Sequence, residues 1–230
     1  MKIFNSDILI KKTSCNCADL PGHPIPPSVN LFVKVTKGCN AHCAFCSNVG
    51  CQSPTSLFDI EKMIRIIYEL KSKGIIVNRM NITGGEPSVV SPLVVRILDA
   101  IDKEHFDDVH LHLNTNGVTV QAQDLMQHPR WDSISMSLHH YDVNRLSDLY
   151  GCEIPAHLLH FTGVDKQKIN FSCNLIKGYI DNKEEVRKML DLTLDTGIRR
   201  IGFVALMPVN SFCKEHFIDI DDIPFAEIPH

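Results

Sequence analysis

The chain of 230 residues has no surplus of basic side chains. Its 27 acids outweigh 23 bases, the formal charge is -4, and no basic block stands out. An electrostatic footprint for nucleic acid is therefore missing, which disfavours RNA or DNA as a partner. No apolar run is long enough to cross a bilayer, so no membrane association is expected. Met1 to Ile10 carries an apolar patch broken by Asn5 and Asp7, without the core of a signal peptide. The nine cysteines are odd in number and come with no secretion signal, so a disulfide framework is not expected. A reducing compartment fits them, and the expected location is the cytoplasm. Repeats and low-complexity tracts are missing too. With 44% hydrophobic residues the chain can bury one sizeable core, too little for two ordinary domains, and a single domain is expected.

What is present centres on Lys37 to Asn48, where Cys39, Cys43 and Cys46 are spaced C-x3-C-x2-C. Thiolates bind soft metals and iron–sulfur clusters, and a short loop can bend three of them toward one point. A cubane cluster has four irons, so three local cysteines leave one iron for a non-protein ligand. Taken alone, the same spacing also suits half of a zinc site. Cys152 and Cys173 lie in or near predicted regular elements and read as small core residues. Cys15 and Cys17 read as loop thiols, with an extra metal or a redox role as alternatives. Cys51, just past the loop, and Cys213, near the end of the chain's regular region, are open to approaching substrate, with no role assigned.

The remaining pattern alternates. Residues 1 to 12 hold a possible short strand, and Pro21 to Pro27 reads as an extended connector. Asn30 to Thr36 is β-branched and aromatic, hence strand, and leads into the cysteine loop. Ser56 is the expected N-cap of a helix with Leu57, Ile60, Met63, Ile64, Ile67 and Leu70 on one face, stopped at Gly74. Strands are expected at Ile75 to Ile82, Asp108 to Leu113, Ser133 to Leu138, Lys168 to Leu175 and Arg200 to Met207. Further helices are expected at Ser91 to Lys103 and Glu184 to Thr196, with helix plus loop through Tyr150. Strands alternating with helices imply a parallel α/β sheet with right-handed crossovers. Periodicity does not separate an open sheet from a barrel, but every unusual motif follows the C-terminal end of a strand, where such folds place their active sites.

The cysteine spacing, Phe45 before the last cysteine, the preceding strand and a second motif, Thr83-Gly-Gly-Glu-Pro87, together resemble the radical S-adenosylmethionine (radical SAM) superfamily. The resemblance covers about residues 29 to 206 and is nearest to the branch of the molybdenum-cofactor enzyme and the peptide maturases. It implies a partial (β/α)6 TIM-like barrel with parallel strands in one domain. The chain then divides into an N-terminal extension and connector (1–28), a core (29–210) and a C-terminal tail (211–230). It also implies a [4Fe-4S] cluster on Cys39, Cys43 and Cys46, with S-adenosyl-L-methionine on the fourth iron. Reductive cleavage would give a 5'-deoxyadenosyl radical that takes hydrogen from a small-molecule or peptide substrate. A one-electron donor such as flavodoxin or ferredoxin is implied as partner.

By the same resemblance Gly84, Gly85, Glu86 and Pro87 bind the methionine end of the cofactor, the glycines because a backbone without Cβ atoms admits close approach. Thr115 and Asn116 match the family's Thr-Asn-Gly segment. Ser137 matches a position that contacts the methionine carboxylate or ribose, and Asn174 one that is polar or basic in relatives. No catalytic residue is assigned beyond the cluster. His139 and His140 are open between general base, substrate contact, metal ligand and chance placement. Relatives carry a C-terminal extension with more cysteines and auxiliary clusters. This chain has only Cys213 there, so it either lacks such clusters or is a truncated form. The competing expectation is a non-catalytic zinc-binding or iron–sulfur scaffold.

Overall fold

Six strands run side by side in sequence order, each parallel to the next, in the computed structural model of the protein. The structure describes residues 2–3, 6–7, 27–48 and 58–225. The expectations for Cys15, Cys17, Cys51, Ser56, Leu57 and residues 21–26 lie outside these. Two short antiparallel strands, β1 (Lys2–Ile3) and β2 (Ser6–Asp7), pair near the start of the chain. The sheet consists of β3 (Ser28–Lys34), β4 (Ile76–Thr83), β5 (His110–Thr115), β6 (Ser133–Ser137), β7 (Ile169–Leu175) and β8 (Ile201–Ala205). It forms a half-barrel in a single α/β domain, as the partial-barrel expectation requires.

The helices between the strands are α1 (Ile60–Ser72), α2 (Ser91–Lys103), α3 (Val120–Met126), α4 (Val143–Tyr150) and α5 (Lys183–Asp195), and α6 (Ser211–Glu215) follows β8. Helix α1 begins at Ile60, with Asp59 rather than Ser56 as its cap: the Asp59 carboxylate accepts the Lys62 N–H at 2.8 Å. A carboxylate satisfies an orphan first-turn donor and suits the positive end of the helix. Thr119, Asp142 and Asn182 cap α3, α4 and α5 in the same way.

Because side chains alternate along a strand, each face of the sheet has its own composition. Met80, Ile82, Leu111, Leu113, Ile134, Met136 and Phe171 point to one face, are fully buried, and form one core with Ile67, Ile97 and Leu98 of the helices. The opposite face is polar. Arg79 pairs with His110, Asn81 with His112, His112 with Ser133, and Ser137 with Ser172. The six strands of this sheet point the same way, so their C-terminal ends form one mouth, and the cysteine loop follows β3.

Candidate active site

The cysteine loop has little regular structure, and neighbours on four sides fix its path. From β4, the Gly85 N–H donates to Thr36 O at 2.9 Å and the Glu86 N–H to Gly38 O at 2.8 Å, prolonging the β3–β4 pairing past the strand ends. From α4, the loop supplies the missing donors of a helix C-terminus: His42 N–H reaches Tyr150 O at 2.7 Å and Ala44 N–H reaches Leu149 O at 3.2 Å. From α6, Asn210 Nδ2 donates to Ala44 O at 3.0 Å and the Cys213 thiol to Phe45 O at 3.5 Å. From β5, Asn116 Nδ2 donates to Asn40 Oδ1 at 2.9 Å and lies 3.9 Å from Cys39 Sγ. A segment of the expected C-terminal tail therefore packs on the loop.

The glycines of the Gly-Gly-Glu-Pro turn serve this clamp first. A Cβ on Gly85 would lie 2.0 Å from Gly38 O, and one on Gly84 2.4 Å from Thr36 O. Both contacts are with backbone, which cannot swing aside. Glu86 is nearly fully buried, and both of its carboxylate oxygens are engaged. Oε1 accepts Ser88 N–H at 3.0 Å and Thr115 Oγ1–H at 2.8 Å, while Oε2 accepts Asn116 N–H at 2.7 Å. Burial pushes its carboxyl above the usual range, against the pull of these donors. Pro87 is buried at the start of a 3-10 turn whose first donor Glu86 caps. Glu86 thus ties the β4 turn to Thr115 and Asn116, and Asn116 carries the tie on to the cysteine loop.

The sequence-predicted positions come together at the mouth. Gly84 to Pro87, Thr115 and Asn116 form one hydrogen-bonded unit with the loop, and Ser137 and Asn174 sit at the ends of β6 and β7. The Ser137 carbonyl accepts Tyr150 O–H at 2.7 Å. His139 is buried: its Nδ1 accepts the Asn174 N–H at 3.0 Å, and its ring meets Phe45 and Tyr150 edge to face. Burial alone drives its pKa down to about 3, so it is a neutral packing and acceptor group between the loop and β7. His140 Nδ1 accepts the Asp142 N–H at 2.9 Å beside the ring of Tyr141, and its buried Nε2 has no partner. Cys173 and Cys213 are buried and Cys152 is partly so. Sequence reasoning did not anticipate Asn210 or Tyr150, whose partners are remote along the chain.

Cys39 and Cys43 are half-buried and Cys46 is exposed. Burial, and then the neighbouring Cys46, Cys39 and Cys152 thiols, push Cys43 up to about 12. That penalty falls on the thiolate, and a bound iron centre would remove it by supplying the compensating positive charge. Among the described residues no three His, Cys, Asp or Glu side chains are placed to hold a single metal ion. A tetrahedral zinc needs its ligands about 2.0–2.3 Å from one point. A cubane instead takes each thiolate at a different iron, so a wider triangle of sulfurs fits it. The donor set suits a cluster better than a lone ion.

A parallel half-barrel whose mouth carries three thiols on a clamped loop, beside a Gly-Gly-Glu-Pro turn, defines a class of iron–sulfur enzyme built around S-adenosylmethionine. The sequence model described as the Radical SAM superfamily matches residues 33–209, and the chain belongs to that superfamily. Its cofactors are accordingly a [4Fe-4S] cluster and S-adenosylmethionine, and it is an enzyme, which sets aside the scaffold alternative. A protein of Saccharolobus solfataricus named "Probable GTP 3',8-cyclase" is 26% identical over 204 residues, 86% of this chain and 63% of that protein. The chain thus spans somewhat under two thirds of the length of this curated relative. Among solved structures, Streptococcus suis SuiB bound to S-adenosylmethionine matches with a TM-score of 0.63 at 18% identity, over 82% of this chain and 43% of that one. A radical SAM methyltransferase from Sphaerobacter thermophilus matches with a TM-score of 0.66 at 17% identity, over 85% and 60%. Both likenesses are of fold. No helix among the described residues is long and apolar enough to cross a membrane.

Proposed function

We propose that Cys39, Cys43 and Cys46 hold the [4Fe-4S] cluster and that S-adenosylmethionine lies across the mouth against Gly84 to Pro87, Thr115, Asn116, Ser137 and Asn174. The carrying observation is the loop itself: three thiols held in place by β4, β5, α4 and α6, where six parallel strands end. When bound, the cluster and S-adenosylmethionine supply reductive cleavage to methionine and a 5'-deoxyadenosyl radical, which takes hydrogen from substrate. The protein's part is to position and to exclude water. Asn116 directs an amide donor toward Cys39 Sγ, and the Asn48 N–H lies 3.3 Å from Cys46 Sγ. Both donors favour thiolate over thiol. Phe45 and the neutral ring of His139 form an apolar wall behind the loop, which keeps a proton source away from the site.

The substrate is a small molecule or peptide, and the electron comes from a one-electron donor of the flavodoxin or ferredoxin kind. A small nucleotide is supported by the cyclase name of the Saccharolobus relative. The test is product analysis after anaerobic reconstitution with dithionite. Formation of 5'-deoxyadenosine and methionine is the expected result. S-adenosylhomocysteine would indicate methyl transfer instead, and the absence of any nucleoside product would contradict the reading.

A further inference from the structure

On the polar face of the half-barrel, at the N-terminal ends of β5 and β6 and away from the mouth, Arg79, His110 and His112 converge on one hydroxyl. Ser133 Oγ lies 2.8 Å from His110 Nε2, 2.7 Å from His112 Nδ1 and 3.3 Å from Arg79 Nη2. Sequence places them there: His110 and His112 are two apart on β5 and so share a face, while Arg79 is the register partner of His110 and Ser133 that of His112. Proton counting around Oγ is tight. The hydroxyl has one hydrogen to give, so one imidazole nitrogen accepts it and the other donates, with Arg79 as a further donor.

The electrostatics are one-sided. The groups acting on His112 are Arg79, His110, Asn114 and Ser133, with no carboxylate among them, and burial with the two basic neighbours holds its pKa down to about 4. Some other cations have carboxylate partners: Arg130 with Asp102 and Asp132, Lys71 with Asp108, Lys188 with Glu185. Among the described residues Arg79 has no ion pair. Its Nη2 donates to Ser133, and its Nε is enclosed without an acceptor. A partly buried guanidinium without a counter-charge is costly unless an anion arrives to satisfy it. A cation does not suit the site. Two imidazoles on one strand form half of a metal site, but among the described residues no third His, Cys, Asp or Glu completes it, and Arg79 would repel the ion.

We propose that Arg79, His110, His112 and Ser133 form an oxyanion subsite on the floor of the half-barrel, which takes a phosphate or carboxylate group of the substrate. This rests on the reading of the mouth as the reaction centre. Arg79 lies four residues before Thr83, where β4 ends at the mouth, so about 13 Å separates the two at about 3.3 Å per residue. A substrate using both therefore spans the depth of the half-barrel, with its anionic end down and its reacting C–H up. The Arg79 guanidinium gives such an end charge-assisted bonds, the imidazole N–H groups add neutral ones, and together they fix which hydrogen faces the mouth.

The test needs neither cluster nor S-adenosylmethionine, so its failure is separable from failure of the proposed function. Imidazole resonances are followed by NMR while inorganic phosphate, pyrophosphate or acetate is added to the purified protein. His110 and His112 should shift saturably, with the other histidines unmoved. Arg79→Gln should weaken binding at least about tenfold, and Arg79→Lys should restore part of it. Tighter binding of the phosphates assigns a phosphorylated substrate, and tighter binding of acetate a carboxylate. Uniform shifts across all histidines, or equal affinities in wild type and Arg79→Gln, would overturn the proposal.

Discussion

At position 85 a single methyl group would fall 2.0 Å from a backbone oxygen of the cysteine loop. From sequence, Gly85→Val is expected to weaken cofactor binding while sparing the cluster. The contacts change that expectation, because the first thing displaced is Gly38, the residue before Cys39. Gly85→Ala should already destabilise the protein by on the order of 1–3 kcal/mol, the usual cost of overpacking. Thermal unfolding and iron content after reconstitution should fall together, and unchanged values of both would contradict the clamp. Gly74 and Gly178 have nothing within 4 Å of a Cβ and offer the control, although their positive φ angles carry their own strain.

His139 makes a second prediction at this scale. Its folded pKa of about 3 lies below the ordinary 6.5, so under acid the unfolded chain binds the proton first. Stability from a neutral His139 is complete above about pH 6.5 and is lost as pH falls toward about 3, by up to about 1.4 kcal/mol per pH unit. His112 and His140 titrate low as well, so the comparison must be a difference. Denaturant unfolding between pH 6.5 and 5 should show a shallower slope in His139→Gln than in wild type. Equal slopes would show that His139 is not the buried neutral group described.

Among the elements, those that carry a strong local signal were legible and those held by remote contacts were not. The expected strands match the observed ones to within about two residues, because β-branched runs ending in Gly, Asn or Pro leave little choice. Helix α3 was missed, since Val120–Met126 is too short to show a period. The start of α1 was placed at Ser56 when the capping carboxylate belongs to Asp59. Helix α6 has only five residues, and its importance lies in a contact that no local pattern encodes. Asn210 both caps α6, accepting the Cys213 N–H at 2.8 Å, and donates to Ala44 O across 166 residues of chain. Replacing it by alanine should cost about 1 kcal/mol. The readable consequence is local opening of the loop: amide exchange at His42 and Ala44 should speed up about fivefold, with the β5 and β6 amides unchanged. Protection unaltered at His42 and Ala44 would mean that α6 does not restrain the loop.

At the scale of the whole molecule, the half-barrel brings the ends of six strands to one mouth. The cysteine and Gly-Gly-Glu-Pro motifs were readable because both are contiguous in sequence and both follow strands. The bond from Glu86 to Thr115 and Asn116, and from Asn116 on to the loop, depends on strands that neighbour each other only in the sheet. The account's central claim is that Cys39, Cys43 and Cys46 together hold the cluster that cleaves S-adenosylmethionine. The most direct measurement is iron and sulfide content per chain, with 5'-deoxyadenosine formation, in wild type and in the triple alanine variant after anaerobic reconstitution. The account predicts about four irons and steady nucleoside release in wild type, and neither in the variant. A variant that keeps a full four-iron cluster, or that still releases 5'-deoxyadenosine, would contradict it.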